Sequence, residues 1–113
     1  MHELSVALGI VRIAEREMAK VKSREVALIE LEIGTLAGIE FDSLDFVWPS
    51  AVKDTVLENA KKQINKISAK ARCGDCETIY SIQFIHDNCP HCGSFLKSIV
   101  QGKELRVVSL ETF

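Results

Sequence analysis

Cys73-Gly74-Asp75-Cys76 and Cys89-Pro90-His91-Cys92, with twelve residues between them, contain all four cysteines of the 113-residue chain. How this stretch is read decides the fold. Two Cys-x-x-Cys pairs on short turns bring four thiolates to one tetrahedral ion at ~2.3 Å per bond, the arrangement of a structural zinc site. Iron suits the same four sulfurs. Two disulfides would need an oxidising compartment, and the start of the chain does not read as a secretory leader, because Glu3, Arg12, Glu15, Arg16 and Glu17 interrupt any apolar run. Zn(II) is therefore the expectation, and a reducing cytoplasm the expected setting. Gly74 and Gly93 beside the pairs suit turns that need positive φ. His86 and His91 lie just before and inside the second pair. Four thiolates already complete the shell, so both read first as exposed loop residues and second as partners of the bound sulfurs.

A closed four-thiolate shell has no open position for water or substrate, so its metal is a staple rather than a catalyst. Structural zinc in small peptides contributes roughly 10–16 kcal/mol, enough to hold ~30 residues that lack a core of their own. Elsewhere, 47% hydrophobic and 27% charged residues read as globular, and six glycines and two prolines leave no low-complexity linker. A net charge of -2 argues against a protein built mainly to coat nucleic acid. No apolar run approaches the ~18 residues of a membrane span. Neither a nucleophile with its base nor a phosphate-cradling glycine loop stands out, so an enzyme is not expected.

Residues 4–21 read as an amphipathic helix. Leu4, Ala7, Leu8, Val11, Ala14, Met18 and Val21 recur at steps of three and four, Ile10 and Ile13 widen the stripe, and Arg12, Glu15, Arg16 and Lys20 take the other face. Lys20, Lys22 and Arg24 suit the helix C-terminus. Residues 26–33 change to a period of two, which predicts a strand with Ala27, Ile29, Leu31 and Ile33 on one face, closed by a turn over 34–38. A second helix is expected to start at Asp42 or Ser43 as cap and to bury Phe41, Leu44, Phe46 or Val47. Pro49 predicts a break or kink in it, with 51–55 a short continuation. The basic run 59–72 reads as an edge strand leading into the metal module. Inside that module a strand over 78–84 is expected to pair with one over 95–100. Leu105, Val107 and Val108 mark a final strand that returns to the sheet of the first half, which makes the metal module an insertion between two strands of one core.

The remaining chemistry sits at Met1-His2-Glu3. A free α-amine, the backbone nitrogen of His2 and its imidazole Nδ1 close two fused chelate rings around one ion, and nitrogen donors in a square plane suit Ni(II) or Cu(II). Glu3 adds its backbone nitrogen or its carboxylate.

Together, Met1-His2-Glu3-Leu4-Ser5, the Glu32-Ile33-Gly34 turn, the knuckles Cys73/Cys76 and Cys89/Cys92, and Gly102-Lys103-Glu104-Leu105-Arg106-Val107-Val108-Ser109-Leu110-Glu111 resemble the HypA/HybF family over essentially the whole chain. These are hydrogenase maturation proteins that deliver nickel. The resemblance implies an α+β molecule in which two helices pack on a small three-stranded sheet and a four-cysteine, zinc-ribbon-like module is inserted. It implies a nickel-binding domain over 1–70 and 103–113 and a zinc-binding domain over 71–102. It places Ni(II), a transient cargo, on Met1, His2 and Glu3, and structural Zn(II) on Cys73, Cys76, Cys89 and Cys92. The partners it implies are the GTPase accessory protein HypB, the hydrogenase large subunit and, for some relatives, urease maturation proteins, with no nucleic acid or membrane; a monomer and a homodimer both fit.

Two rivals follow from the same residues. A zinc ribbon beside the basic run 61–72 is also a nucleic-acid or protein-interaction module, and an iron-filled cage is an electron carrier. Neither accounts for Met1-His2-Glu3.

Overall fold

The apolar period at the start of the chain becomes α1, Glu3–Lys20, in a computed structural model that describes residues 2–23 and 25–113. Ala7, Ile10, Val11, Ala14 and Met18 form its buried face, while Leu4, Leu8 and Val21 are exposed at 44, 40 and 63%. The core stripe is thus narrower than expected and centred on Ile10, and Leu4 and Leu8 fall at its margin. Lys20 ends the helix with its ammonium 2.8 Å from Glu17; Arg24, read with the same basic end, lies outside the described residues.

The alternating run becomes β1, Val26–Gly34, with Ile29, Leu31 and Ile33 buried as the period of two requires. It is the centre strand of a sheet ordered β2-β1-β6, where β2 is Lys61–Ile67 and β6 is Leu105–Thr112. The final strand does return to the first sheet. Glu30 on β1 accepts from Asn65 Nδ2 at 2.7 Å and from Ser109 Oγ at 3.1 Å, so one carboxylate ties the centre strand to both edges.

Helix α2 is Phe41–Val52, and it corrects two expectations. Its cap is Glu40 rather than Asp42 or Ser43, with the Glu40 carboxylate accepting from the Asp42 N–H at 2.9 Å. The break at Pro49 does not occur. Pro49 sits within the last turn, where it removes one N–H from the ladder. The burial of Leu44, Trp48, Ala51 and Val52 on the apolar side holds the helix through to Val52. Lys53 caps the helix, and the turn after it closes with the Thr55 N–H donating to the Val52 carbonyl at 3.0 Å. Phe46, one of the expected core residues, is 85% exposed. Lys62 pairs with Asp45 and lies 5.0 Å from the Trp48 ring centroid.

The basic run is two strands, not one. β2 is an edge as expected, but β3, Lys70–Cys73, is the centre of a second antiparallel sheet ordered β4-β3-β5, with β4 Ile79–Ser81 and β5 Lys97–Gln101. The two strands expected to pair with each other therefore both pair with β3. Ala71 faces Tyr80 on one side and Ile99 on the other. The signal was the burial alternation of Ala69, Ala71 and Cys73 against exposed Lys70 and Arg72, which small side chains make hard to see.

The chain forms two compact units: the described residues up to Leu31 with Ile39–Asn65 and Arg106–Phe113, and Glu32–Gly38 with Lys66–Leu105. The turn after β1 thus groups with the cysteines, outside the limits read from sequence. Backbone bonds explain its place: Leu36 N donates to Gly102 O at 2.7 Å, Gly34 N to Glu104 O at 2.8 Å and Thr35 N to Ile67 O at 3.0 Å. A Cβ on Gly34 would fall 1.9 Å from the Gly102 carbonyl oxygen, so only glycine allows this approach.

Candidate metal centres

The cysteines arrive on two similar knuckles. Cys73 ends β3, its N–H donates to Thr78 O at 2.9 Å, and its carbonyl accepts from Glu77 N at 3.1 Å. In the second knuckle, Cys89 N donates to Ser94 O at 2.9 Å and Gly93 N to Cys89 O at 2.8 Å. Each leading sulfur accepts from its own turn: Cys73 Sγ from the Asp75 and Cys76 N–H groups at 3.4 Å, and Cys89 Sγ from His91 N at 3.4 Å. The left-handed positions are Glu77 (φ 64°) and Gly93 (φ 80°), not Gly74. Gly74 is needed for space instead, since a Cβ there would meet Leu96 Cβ at 3.0 Å.

All four thiols are free, and the four Sγ atoms lie within 4.8 Å of one another. Cys73 to Cys92 is 3.5 Å and Cys76 to Cys89 is 3.6 Å. A tetrahedron with ~2.3 Å bonds has edges of about 3.8 Å, so these donors fit one zinc-sized ion. Among the described residues this is the one His/Cys/Asp/Glu group that meets the geometry for a metal. Its protons are held unequally. The Thr78 hydroxyl and N–H, opposed by burial and helped by Cys89 and His91, bring the Cys76 thiol down to about 5. The Cys76 and Asp75 N–H groups lower Cys73. The Ser94 N–H favours the Cys92 thiolate, but Cys73, burial, Cys76 and Cys89 outweigh it and push Cys92 up to about 12. Packed thiolates cannot all ionise without a cation among them, and a divalent ion takes over from the last protons.

The other predicted ligands are at the start of α1. Met1 lies outside the described residues. His2 is exposed, and its side chain makes no capping bond to the helix; its carbonyl instead accepts from Val6 N at 2.9 Å and Ser5 Oγ at 2.8 Å. Glu3 is the buried charged residue of the described chain, 5% exposed. Its Oε2 accepts from Glu40 N at 3.2 Å and stands 3.7 Å from His2 Nε2. The Glu40 N–H, against burial, holds the Glu3 carboxyl below its usual value, with help from its own N–H and His2. Glu3 thus anchors the helix start to the cap of α2, with the exposed imidazole of His2 beside its carboxylate.

Sequence reasoning missed Thr78, Glu40 and Tyr80. Thr78 follows Cys76 by two residues, which is a legible signal, and its hydroxyl is 3.2 Å from Cys76 Sγ. Glu40 carried no legible signal. Tyr80 was read only as part of a strand. His86 is exposed and stacks on Phe84 with ring centroids 5.4 Å apart, away from the sulfurs' hydrogen bonds. No helix among the described residues is long and apolar enough to cross a membrane.

The family described as "Hydrogenase/urease nickel incorporation, metallochaperone, hypA" matches residues 1–112. The hydrogenase maturation factor HypA of Parabacteroides distasonis is 44% identical over 110 residues, covering 97% of this chain and 96% of that protein. That of Francisella philomiragia is 40% identical over 110 residues, covering 97% of each. The solution structure of the Ni metallochaperone HypA from Helicobacter pylori aligns with a TM-score of 0.69 over 99% of this chain and 97% of that one, at 23% identity, a likeness of fold.

Proposed function

The chain belongs to the HypA family of nickel-incorporation metallochaperones and hydrogenase maturation factors, and from that premise we propose that it carries Ni(II) on its first three residues and keeps Zn(II) in the sulfur cage. In this reading the Met1 α-amine, the backbone nitrogen of His2 and His2 Nδ1 form two fused chelate rings. Glu3 contributes its backbone nitrogen more readily than its carboxylate, which the Glu40 N–H already engages. The observation that carries the reading is the His2 imidazole, exposed and unused by the helix cap, beside an anchored Glu3.

The two metals are sorted by ligand type. Soft sulfur in a filled shell retains zinc, whereas a few nitrogen donors around the exposed His2 hold nickel and let an incoming thiolate take it. The nickel site belongs to the unit that contains α1 and α2 and the zinc site to the unit that contains the cysteines. The chemistry is ligand exchange, not catalysis of a bond change. The proposed partners are the GTPase HypB, the hydrogenase large subunit and, in organisms that need it, urease maturation proteins, in the cytoplasm. The charged face of α1, with Arg12 and Arg16 exposed, is the proposed contact for HypB.

The test is a nickel titration of untagged protein with metal content measured alongside. Wild type takes up Ni(II) at micromolar concentration; His2→Ala loses it and keeps about one zinc per chain. The same nickel isotherm in both proteins would sink the terminal chelate.

A further inference from the structure

Among the described residues, the Tyr80 hydroxyl is the buried side-chain polar atom without a hydrogen-bond partner. The residue is 6% exposed, and its ring packs in one cluster with Ala69, Ala71, Ile82 and two of the cage residues, Cys73 and Cys89. Strand register explains why. Tyr80 stands opposite Ala71, so it shares the buried face with Cys73, two residues further along β3. A diagonal neighbour at that offset is ~7–8 Å away, within reach of an aromatic side chain. Burial first, and then the charges of the Cys89, Cys73 and Cys92 sulfurs and of Asp87, push the phenol up from its ordinary value. A phenylalanine would fill the same space without burying an unpaired donor, so the hydroxyl needs an acceptor, and the buried side chains of its cluster that can accept are those of Cys73 and Cys89.

We propose that Tyr80 is a positioning residue of the sulfur cage, its O–H donating to the metal-bound thiolate of Cys73 or Cys89, the two sulfur-bearing residues buried in its own cluster. The proposal rests on the reading of the cage as a metal site. Cys73 and Cys89 already accept backbone N–H groups from their own knuckles. The phenol adds a donor from the strand side, which no knuckle supplies. A hydrogen bond to a thiolate withdraws charge from sulfur, which lowers its reactivity toward electrophiles without removing it from the metal. Tyr80 thereby keeps an already filled shell chemically quiet.

The experiment uses full-length protein with Co(II) in the cage, because sulfur-to-cobalt charge-transfer absorption reports charge on the thiolates. Tyr80→Phe moves those bands to lower energy, and the zinc-loaded variant is alkylated by iodoacetamide on the order of tenfold faster than wild type. The chain has a single tyrosine, so biosynthetic incorporation of 3-fluorotyrosine labels position 80 alone. Its more acidic hydroxyl is a stronger donor and moves the bands to higher energy. Displacements of opposite sign from two nearly isosteric changes do not arise from loosened packing. If both altered proteins bind cobalt with the wild-type spectrum and alkylation rate, the proposal is overturned. If Tyr80→Phe fails to hold cobalt, the fluorinated protein decides alone, a shift supporting the proposal and an unshifted spectrum overturning it. Wild-type protein that takes up no cobalt into four-sulfur coordination overturns the cage reading itself, a different failure visible before any variant is made.

Discussion

The two units are stabilised by different means. The one containing α1 and α2 fully buries Val26, Ile29, Leu31, Leu44 and Leu57, aliphatic side chains whose burial is worth ~1.5–3 kcal/mol each. The cluster around the cysteines consists of Ala69, Ala71, Cys73, Tyr80, Ile82 and Cys89, where the two alanines remove little apolar area from water. In the proposed reading, sulfur ligation of a metal supplies in the second unit what a hydrocarbon core supplies in the first. The sharpest way to break this contrast is to remove the metal. Chelation, or Cys73→Ser, is expected to abolish amide protection throughout β3, β4 and β5 while α1, α2 and β1 residues 26–31 stay protected. Hydrogen exchange that leaves residues 73–92 at wild-type protection would show that the small cluster folds without its ion.

The reverse experiment removes hydrocarbon. Leu44 is fully buried on α2, so Leu44→Ala should cost ~2–5 kcal/mol of stability, read as a lowered denaturation midpoint. Zinc per chain should not change. Zinc lost in proportion to the unfolding of the first unit would mean that the units do not differ in the way their cores suggest.

Much of this contrast is legible in the sequence. The periods of 3.6 over α1 and 2 over β1 are strong because large aliphatic residues carry them. The four cysteines announce the second unit by spacing alone. What was hard to read has physical causes. β3 carries its buried face on Ala71 and Cys73, with Ala69 just ahead of it, all too small to stand out against Lys70 and Arg72, so its central place was not visible. Pro49 is a local signal overruled by the burial of Trp48, Ala51 and Val52 around it. Glu40 caps α2 and receives Glu3 through its own N–H, a bond between residues 37 apart that no local pattern encodes. Of the sites, the grouping of the four sulfurs follows from spacing, and the Thr78 hydroxyl on Cys76 lay within reach two residues further on, but the Tyr80 phenol required strand register.

The two proposed metals should also part with acid. Metal binding needs deprotonated ligands, so protons compete with nickel for its nitrogen donors. In the cage the Cys76 thiol is brought down to about 5 while Cys92 is pushed up to about 12, so the filled four-sulfur shell around a bound divalent ion, rather than ready ionisation of each thiol, is what would keep zinc in place. Lowering the pH from about 8 to about 6 is therefore expected to weaken nickel binding at least tenfold with zinc retained, measured by titration and metal analysis on one sample. Zinc leaving first would reverse the assignment of cargo and staple.

The smallest effect expected is at Glu3, and it sharpens how the proposed nickel end is held. Its carboxyl lies below the ordinary value of 4.5, chiefly because the Glu40 N–H donates to it. A group whose folded pKa is depressed contributes stability above its unfolded value and loses it as the pH falls through the folded one. The contribution is thus complete above pH 4.5 and fades below it. Protonation leaves an oxygen that still accepts, but a neutral acceptor is weaker than a carboxylate. Exchange at the Glu40 amide should accordingly speed up as the solution is acidified, while Leu44 N, bonded to Glu40 O at 3.0 Å inside α2, changes little. Glu3→Gln should show the faster Glu40 exchange already at neutral pH and lose the acid dependence. If the variant keeps the wild-type profile, the Glu3–Glu40 bond does not fix the start of α1, and the imidazole of His2 is presented by the helix alone.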